Sequence, residues 1–449
     1  MIGGWDYMCR TKSILAGLLC FFLCATFAGH AAALGAGPEG AAVRIAPVTA
    51  RKLEQPSYSP EESPSSTVAE GANAFAFRLG AELLRRAGDQ NFLFSPFSVW
   101  MPLAALVNAT AEPQRAALLK SLEAEGVGAE DMNLTASRML YSLTKQDDKR
   151  MAADYGEEFY HDPLRIANAV FVSHDAALKA AFAQAFMDFY RGTSMNVDFG
   201  AREAADAVNR WASENTEGLI TDIIQAFSPE TVAAIANAIY FSDRWDWEFD
   251  PDDTEEGVFH APQGDISAFF MLREGERLDY YEDERVQAMP LAFKTGGGLL
   301  VLLPKDGDAD ALLSSMTNEY FQRVSYGSDR PGKLLLPRFS IEGEVMELSG
   351  ALTALGIPLF DPGAAPLTEL VEGDVPIWIS GALHKATITV DEKGTTAAAV
   401  TVMAMAGAAP PEPAAPFEMI CDRPFAFVLY DYTYDGGHQV LFTGIVRQP

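Results

Sequence analysis

Val390-Asp391-Glu392-Lys393-Gly394-Thr395-Thr396-Ala397-Ala398-Ala399-Val400-Thr401 is the stretch on which the fold turns. It closes an apolar, strand-like run from Leu383 to Val390, and beyond Lys393 the side chains lose nearly all their bulk. Small side chains can enter a crowded sheet without clash, and Thr and Val favour extended backbone. The segment reads as a stored strand, exposed in one state and inserted into a sheet in another.

Outward from this stretch the chain alternates helix and strand patterns without regularity. Phe75, Leu79, Leu83 and Leu84 recur at helical spacing with Gly88 able to end the helix, and Ser98 to Val107 is a second helix-compatible run. Strands are expected at Leu164–Val172, Val232–Phe241, Val286–Phe293, Leu299–Leu303, Lys333–Phe339, Leu383–Val390, Phe425–Tyr430 and Gln439–Val446. Gly296, Gly297 and Gly298 turn one hairpin, and Asp435, Gly436 and Gly437 turn another. No repeat or linker divides residues 71–449, and the order lacks the strict alternation of a doubly wound sheet, so the expected class is α+β in one large domain.

Two segments precede that domain. Arg10 and Lys12 stand before an apolar run from Ile14 to Phe27, and Ala31 and Ala33 follow, the order of a cleavable secretion signal over residues 1–33. The apolar run is shorter than the roughly 20 residues a membrane-spanning helix needs, which disfavours an anchor. Residues 34–70 carry Pro38, Pro47, Pro56, Pro60 and Pro64 among Ser, Glu and Gly and read as a flexible leader. Cys9, Cys20 and Cys24 would leave with the signal, so the exported chain keeps only Cys421 and has no internal disulfide.

Composition and motifs exclude several functions. The formal net charge of -29 disfavours nucleic acid and anionic membranes as partners. The six His residues include no zinc-type helical pair, no Ser sits in a Gly-x-Ser-x-Gly elbow, and no phosphate-loop spacing occurs. Gly35, Gly37 and Gly40 match a dinucleotide spacing without the flanking strand and helix, and the acidic turn at Asp250, Asp252 and Asp253 lacks a calcium loop's Gly and Glu. No catalytic residue, metal or cofactor is expected. Asn108-Ala109-Thr110 and Asn133-Leu134-Thr135 fit glycosylation acceptors, a pattern short enough to arise by chance.

Glu392, Gly394, Thr395 and the alanines Ala397 to Ala399 resemble the hinge of the serpin family. So do Asn91-Phe92-Leu93-Phe94-Ser95-Pro96-Phe97-Ser98-Val99, Asn237-Ala238-Ile239-Tyr240-Phe241 with Trp245, Phe249 and Thr254, Leu383-His384-Lys385-Ala386, and Asp422-Arg423-Pro424-Phe425. Ala426 and Asn108 depart from the family pattern, standing where a larger apolar residue and a Gly are usual. The resemblance implies mixed sheets surrounded by helices, with an exposed reactive-centre loop over about 392–423. It further implies that a serine protease cuts that loop, becomes acylated, and is trapped when Glu392, Gly394, Thr395, Thr396, Ala397, Ala398, Ala399, Val400 and Thr401 enter the central sheet. Ser95, Ser98, Asn237 and His384 would form the polar cluster beneath that sheet that holds its strands closed, with Trp245 at the point of entry.

The family's hinge-to-bond spacing places the scissile bond between Ala408 and Ala409, with Met405–Ala406 as the alternative in a loop that is longer than usual. Elastase-like, subtilisin-like or chymotrypsin-like enzymes are the implied targets. Gly394 to Ile420 holds no Arg or Lys, which argues against trypsin-like ones. The stretch Pro113 to Glu125 sets Arg115 and Lys120 among Glu112, Glu123 and Glu125 and offers no basic face for heparin. The expected protein is a secreted, extracellular monomer that forms a covalent complex with its target protease. The other role the resemblance allows is a non-inhibitory ligand carrier or chaperone, but in such members the hinge often bears bulky or charged residues, and Gly394 to Thr401 has no such block. Val400, bulkier than the usual hinge residue, is a brake on insertion.

Overall fold

The structure, a computed structural model, describes residues 66–145, 163–364, 366–373, 376–394, 415–433 and 437–449, and the backbone of residues 17–27. In chain order the first elements are β1 (Gly17–Phe27), α1 (Ser66–Leu84), β2 (Phe92–Phe94), α2 (Pro96–Leu106), α3 (Gln114–Ser121) and α4 (Ala129–Leu143). Next come β3 (Leu164–Ser173), α5 (Ala180–Tyr190), β4 (Gly192–Val197), α6 (Arg202–Asn215) and β5 (Thr231–Phe241). The middle is strand-rich, with β6 (Glu255–Ala261), β7 (Gly264–Glu282), β8 (Val286–Ala292), β9 (Gly298–Pro304), α7 (Ala309–Ser314), α8 (Asn318–Val324), β10 (Ser328–Pro337), β11 (Phe339–Glu342), β12 (Met346–Glu347) and α9 (Ser349–Ala354). The chain ends with β13 (Ile377–Val390), β14 (Phe417–Ile420), β15 (Phe425–Tyr432) and β16 (His438–Val446).

Two sheets organise these elements. One runs β11-β13-β1-β5-β3-β4 with β12 beside β13, and the other runs β14-β10-β7-β8-β9-β15-β16-β2 with β6 beside β7. The central strand β5 is buried along almost its whole length because both its faces are covered. Ala234, Ala236 and Ala238 pack with Val208 and Trp211 of α6 on one face, where small side chains let the helix lie close. Ile235 and Ile239 point the other way, into the main core shared with α2. Strand periodicity puts Asn237 on this second face, between two isoleucines, so its amide must find partners inside the core.

Helix α2 begins where Ser95 accepts a hydrogen bond from the backbone N–H of Ser98 and Pro96 supplies a preset first turn. Strand β2, just before it, pairs with β16 and so fixes the start of α2 to the second sheet. The turn between β8 and β9 uses Gly296 and Gly297 at φ of 110° and 69°, and a Cβ on Gly297 would strike the Tyr430 carbonyl.

The segment read as an apolar signal run occupies a specific place. Strand β1 lies between β13 and β5, antiparallel to both, with Gly17 level with Phe241 and Phe27 level with Ile377. Consequently β13 and β5 run parallel to one another with one strand's width between them. The expected strand from Lys333 to Phe339 divides at Arg338 into β10 and β11, which belong to different sheets.

Candidate functional site

The site is the end of the central sheet where β13 gives way to the small-residue stretch. Three hydrogen bonds to backbone carbonyls pin the chain there. The Trp245 N–H donates to the Lys393 carbonyl at 3.2 Å and the Phe249 N–H to that of Glu392 at 2.9 Å. The Trp245 indole N–H donates to the Asp391 carbonyl at 2.9 Å. Trp245 is wholly buried and stacks on Phe293 with ring centroids 4.8 Å apart. Gly394 has a φ of 74°, and a Cβ there would sit 2.4 Å from the Trp245 nitrogen, so no other residue fits without displacing the strand end.

Glu392 is buried, and its Oε1 accepts from Thr254 Oγ1 at 2.7 Å and Arg338 Nε at 2.6 Å. Burial works against its ionisation, but the Arg338 guanidinium and the Thr254 hydroxyl hold the carboxyl below its ordinary pKa. Arg338 was not legible as a site residue, being a lone cation between two strands. The loop's far end is anchored too. Arg330 donates to the Ala415 carbonyl at 3.0 Å, and Phe417 stacks on Tyr280 with centroids 3.7 Å apart. Thr395 to Thr401 and both candidate bonds, Ala408–Ala409 and Met405–Ala406, lie outside the described residues.

Beneath the sheet Ser95, Ser98, Asn237 and His384 lie along one run of hydrogen bonds, which extends beyond these four residues. The Ser95 N–H donates to Nε2 of His384 at 3.1 Å, and Ser98 Oγ donates to Asn237 Oδ1. Asn237 Nδ2 continues to Asn168 Oδ1 at 2.8 Å, and Asn168 Nδ2 to the Tyr190 carbonyl at 2.7 Å. From there the Tyr190 hydroxyl donates to Asn133 Oδ1 at 2.9 Å, and Asn133 and Asn108 exchange reciprocal amide bonds of 2.9 and 2.8 Å. The two glycosylation-like asparagines are thus partners of each other, and Asn133 is buried.

His384 and Asn237 do not meet. Each is level with Phe21 of β1, on opposite sides of that strand, so in this arrangement the cluster grips the two halves of the sheet separately and does not seal the seam between them. Burial lowers the pKa of His384 to about 3, which keeps its ring neutral. Cys421 is buried and its thiol is pushed up by that burial, as expected of a structural residue. Among the described residues no group of three His, Cys, Asp or Glu could hold a metal, and no helix is long and apolar enough to cross a membrane.

Comparison with known proteins agrees with this geometry. The family model described as "Serpin (serine protease inhibitor)" matches residues 70–449. An uncharacterized serpin-like protein of Thermococcus kodakarensis is 30% identical over 408 residues, covering 87% of each chain. Alpha-1-antitrypsin 1-4 of Mus musculus is 27% identical over 396 residues, 87% of this chain and 91% of the relative. Among solved structures, the thermophilic serpin tengpin in its native state superposes with a TM-score of 0.70 at 22% identity, covering 85% of this chain and 94% of its own. AtSerpin1 of Arabidopsis, in its native stressed conformation, gives 0.71 at 24%, with 85% and 98% covered.

Proposed function

Since the chain belongs to the serpin family, whose members are typically protease inhibitors and not themselves enzymes, we propose that it is a secreted suicide inhibitor of serine proteases that traps its target by inserting its own cut loop. The observation that carries this reading is the strand-wide position between β13 and β5, directly beside the pinned hinge at Glu392 and Gly394. Strand β1 pairs there with both neighbours and runs away from the hinge end, the direction a segment entering past Trp245 would take. Removal of residues 1–33 on export would empty that position for Thr395 and the residues after it. Ten new backbone hydrogen bonds at about 0.5–1.5 kcal/mol net each would release on the order of 10 kcal/mol, as much as a whole domain's stability.

The bond cut is Ala408–Ala409, with Met405–Ala406 second, and the targets are elastase-like, subtilisin-like or chymotrypsin-like. Incubation of the exported protein with one enzyme of each type should give a complex that survives denaturation, and the mass of the released peptide identifies the bond. Cleavage by all three without any complex would overturn the inhibitor reading. It would favour a second one, carriage of a small ligand, which rests on a polar pocket of about 250 Å³ lined by Asn73, Asn318, Gln322 and His438. Nε2 of the buried His438 has no hydrogen-bond partner there among the described residues.

A further inference from the structure

We infer that the Asn108–Asn133 pair, reached through the Tyr190 hydroxyl, is a catch that holds the central sheet in its strand-filled arrangement. The inference rests on the loop-insertion reading above. The two halves of the sheet are tied to different frames. On one side β13 is held by His384 to Ser95, whose neighbour β2 is paired into the second sheet. On the other, β5, β3 and β4 form one paired unit, and Asn168 of β3 binds the last residue of α5, Tyr190.

This second half is linked to α2 and the short turn of helix after it at two points. One is Ser98 to Asn237, near the start of α2. The other is Tyr190 to Asn133 to Asn108, beyond its end, where Asn108 also donates to the Ala105 carbonyl at 3.1 Å. All these bonds are made with β1 between the halves. Closing the sheet without a strand moves one half toward the other by one strand spacing, about 4.8 Å. That exceeds the reach of a hydrogen bond several times over its tolerance. With α2 staying with β13 through Ser95 and the pairing of β2 to the second sheet, one bond in the Tyr190–Asn133–Asn108 chain must then break, whether α4 travels with α5 or stays with α2. The chain therefore favours the filled sheet selectively, and Tyr190 is suited to it because burial keeps its phenol protonated as a donor.

The test compares the exported protein with intact loop and with loop nicked by a protease, for the parent, Tyr190→Phe and Asn108→Gly. Guanidinium unfolding midpoints are the readout. The parent should gain on nicking. Both variants should lower the midpoint of the nicked form while leaving that of the intact form unchanged or raised. An equal loss in both forms would reduce the pair to ordinary core packing and overturn the catch. A loss confined to the intact form would make it a brace of the closed sheet, which also overturns it. No gain in the parent on nicking would overturn the insertion reading and the catch together.

Discussion

Arg338 and Glu392 show how one ion pair can fix the end of a central strand. The carboxylate is buried while the guanidinium is 44% exposed, so solvent screens the cation and the pair is weaker than a fully buried one. The larger effect comes from what removal leaves behind. Arg338→Met strands a buried carboxylate with Thr254 as its remaining side-chain partner, and the expected cost is about 1–2 kcal/mol. Urea unfolding at neutral pH should show that loss, and Glu392→Gln in the same background should recover part of it, because the uncompensated charge is then gone. If the double variant is no more stable than Arg338→Met, the carboxylate is not what the arginine satisfies. Gly394 reads as a hinge glycine from its place before a run of small residues. Its reason, a left-handed backbone pressed against Arg244 and Trp245, comes only from the fold.

At the scale of elements, the strands that were legible are those with continuous apolar runs and glycine turns. Residues 231–241, 286–292, 298–304, 425–432 and 438–446 were each anticipated to within about two residues at each end. Strand β7 was not anticipated, because its 19 residues alternate irregularly between buried and exposed and include Arg273, Glu274, Glu276 and Arg277. It pairs with three neighbours, β6, β10 and β8, over successive stretches, so no single hydrophobic period runs through it. The polar network was half legible for a related reason. Ser95, Ser98, Asn237 and His384 sit in recognisable motifs, whereas Asn168, Tyr190, Asn133 and Asn108 are single polar residues far apart in sequence that only the packing of α4 and α5 brings together. The hinge, as an element, carries its own prediction. Thr395→Arg would bring an unpaired charge into the sheet at a cost of several kcal/mol. The fraction of protease recovered in complex should collapse while loop cleavage continues. Val400→Ala should shift the same ratio the other way, and undiminished trapping by Thr395→Arg would mean that this residue does not enter the sheet.

For the molecule as a whole, the two histidines buried among the described residues push its response to acid in one direction. Burial lowers His384 to about 3 and His438 to about 4, against an ordinary value of about 6.5 in an unfolded chain. Between those limits the unfolded state binds protons that the folded state refuses, so stability rises with pH through this window and is lost as pH falls below about 6.5. Each histidine contributes roughly 1.4 kcal/mol per pH unit, or about 2 kcal/mol on going from pH 6.5 to 5. Other effects run the other way. Burial raises the pKa of Asp431, so its protonation favours the folded state, and acid also relieves the self-repulsion of a chain with net charge -29. Exposed His260, held above its ordinary pKa by Asp265, also favours the folded state as it takes up its proton. These opposing contributions are common to the parent and to a single-histidine variant, so they cancel in the comparison between the two. The urea midpoint of the parent should fall between pH 7 and pH 5, and that of His438→Gln should fall less. Identical pH dependence in the two proteins would show that His438 takes up its proton in the folded state as readily as in the unfolded one.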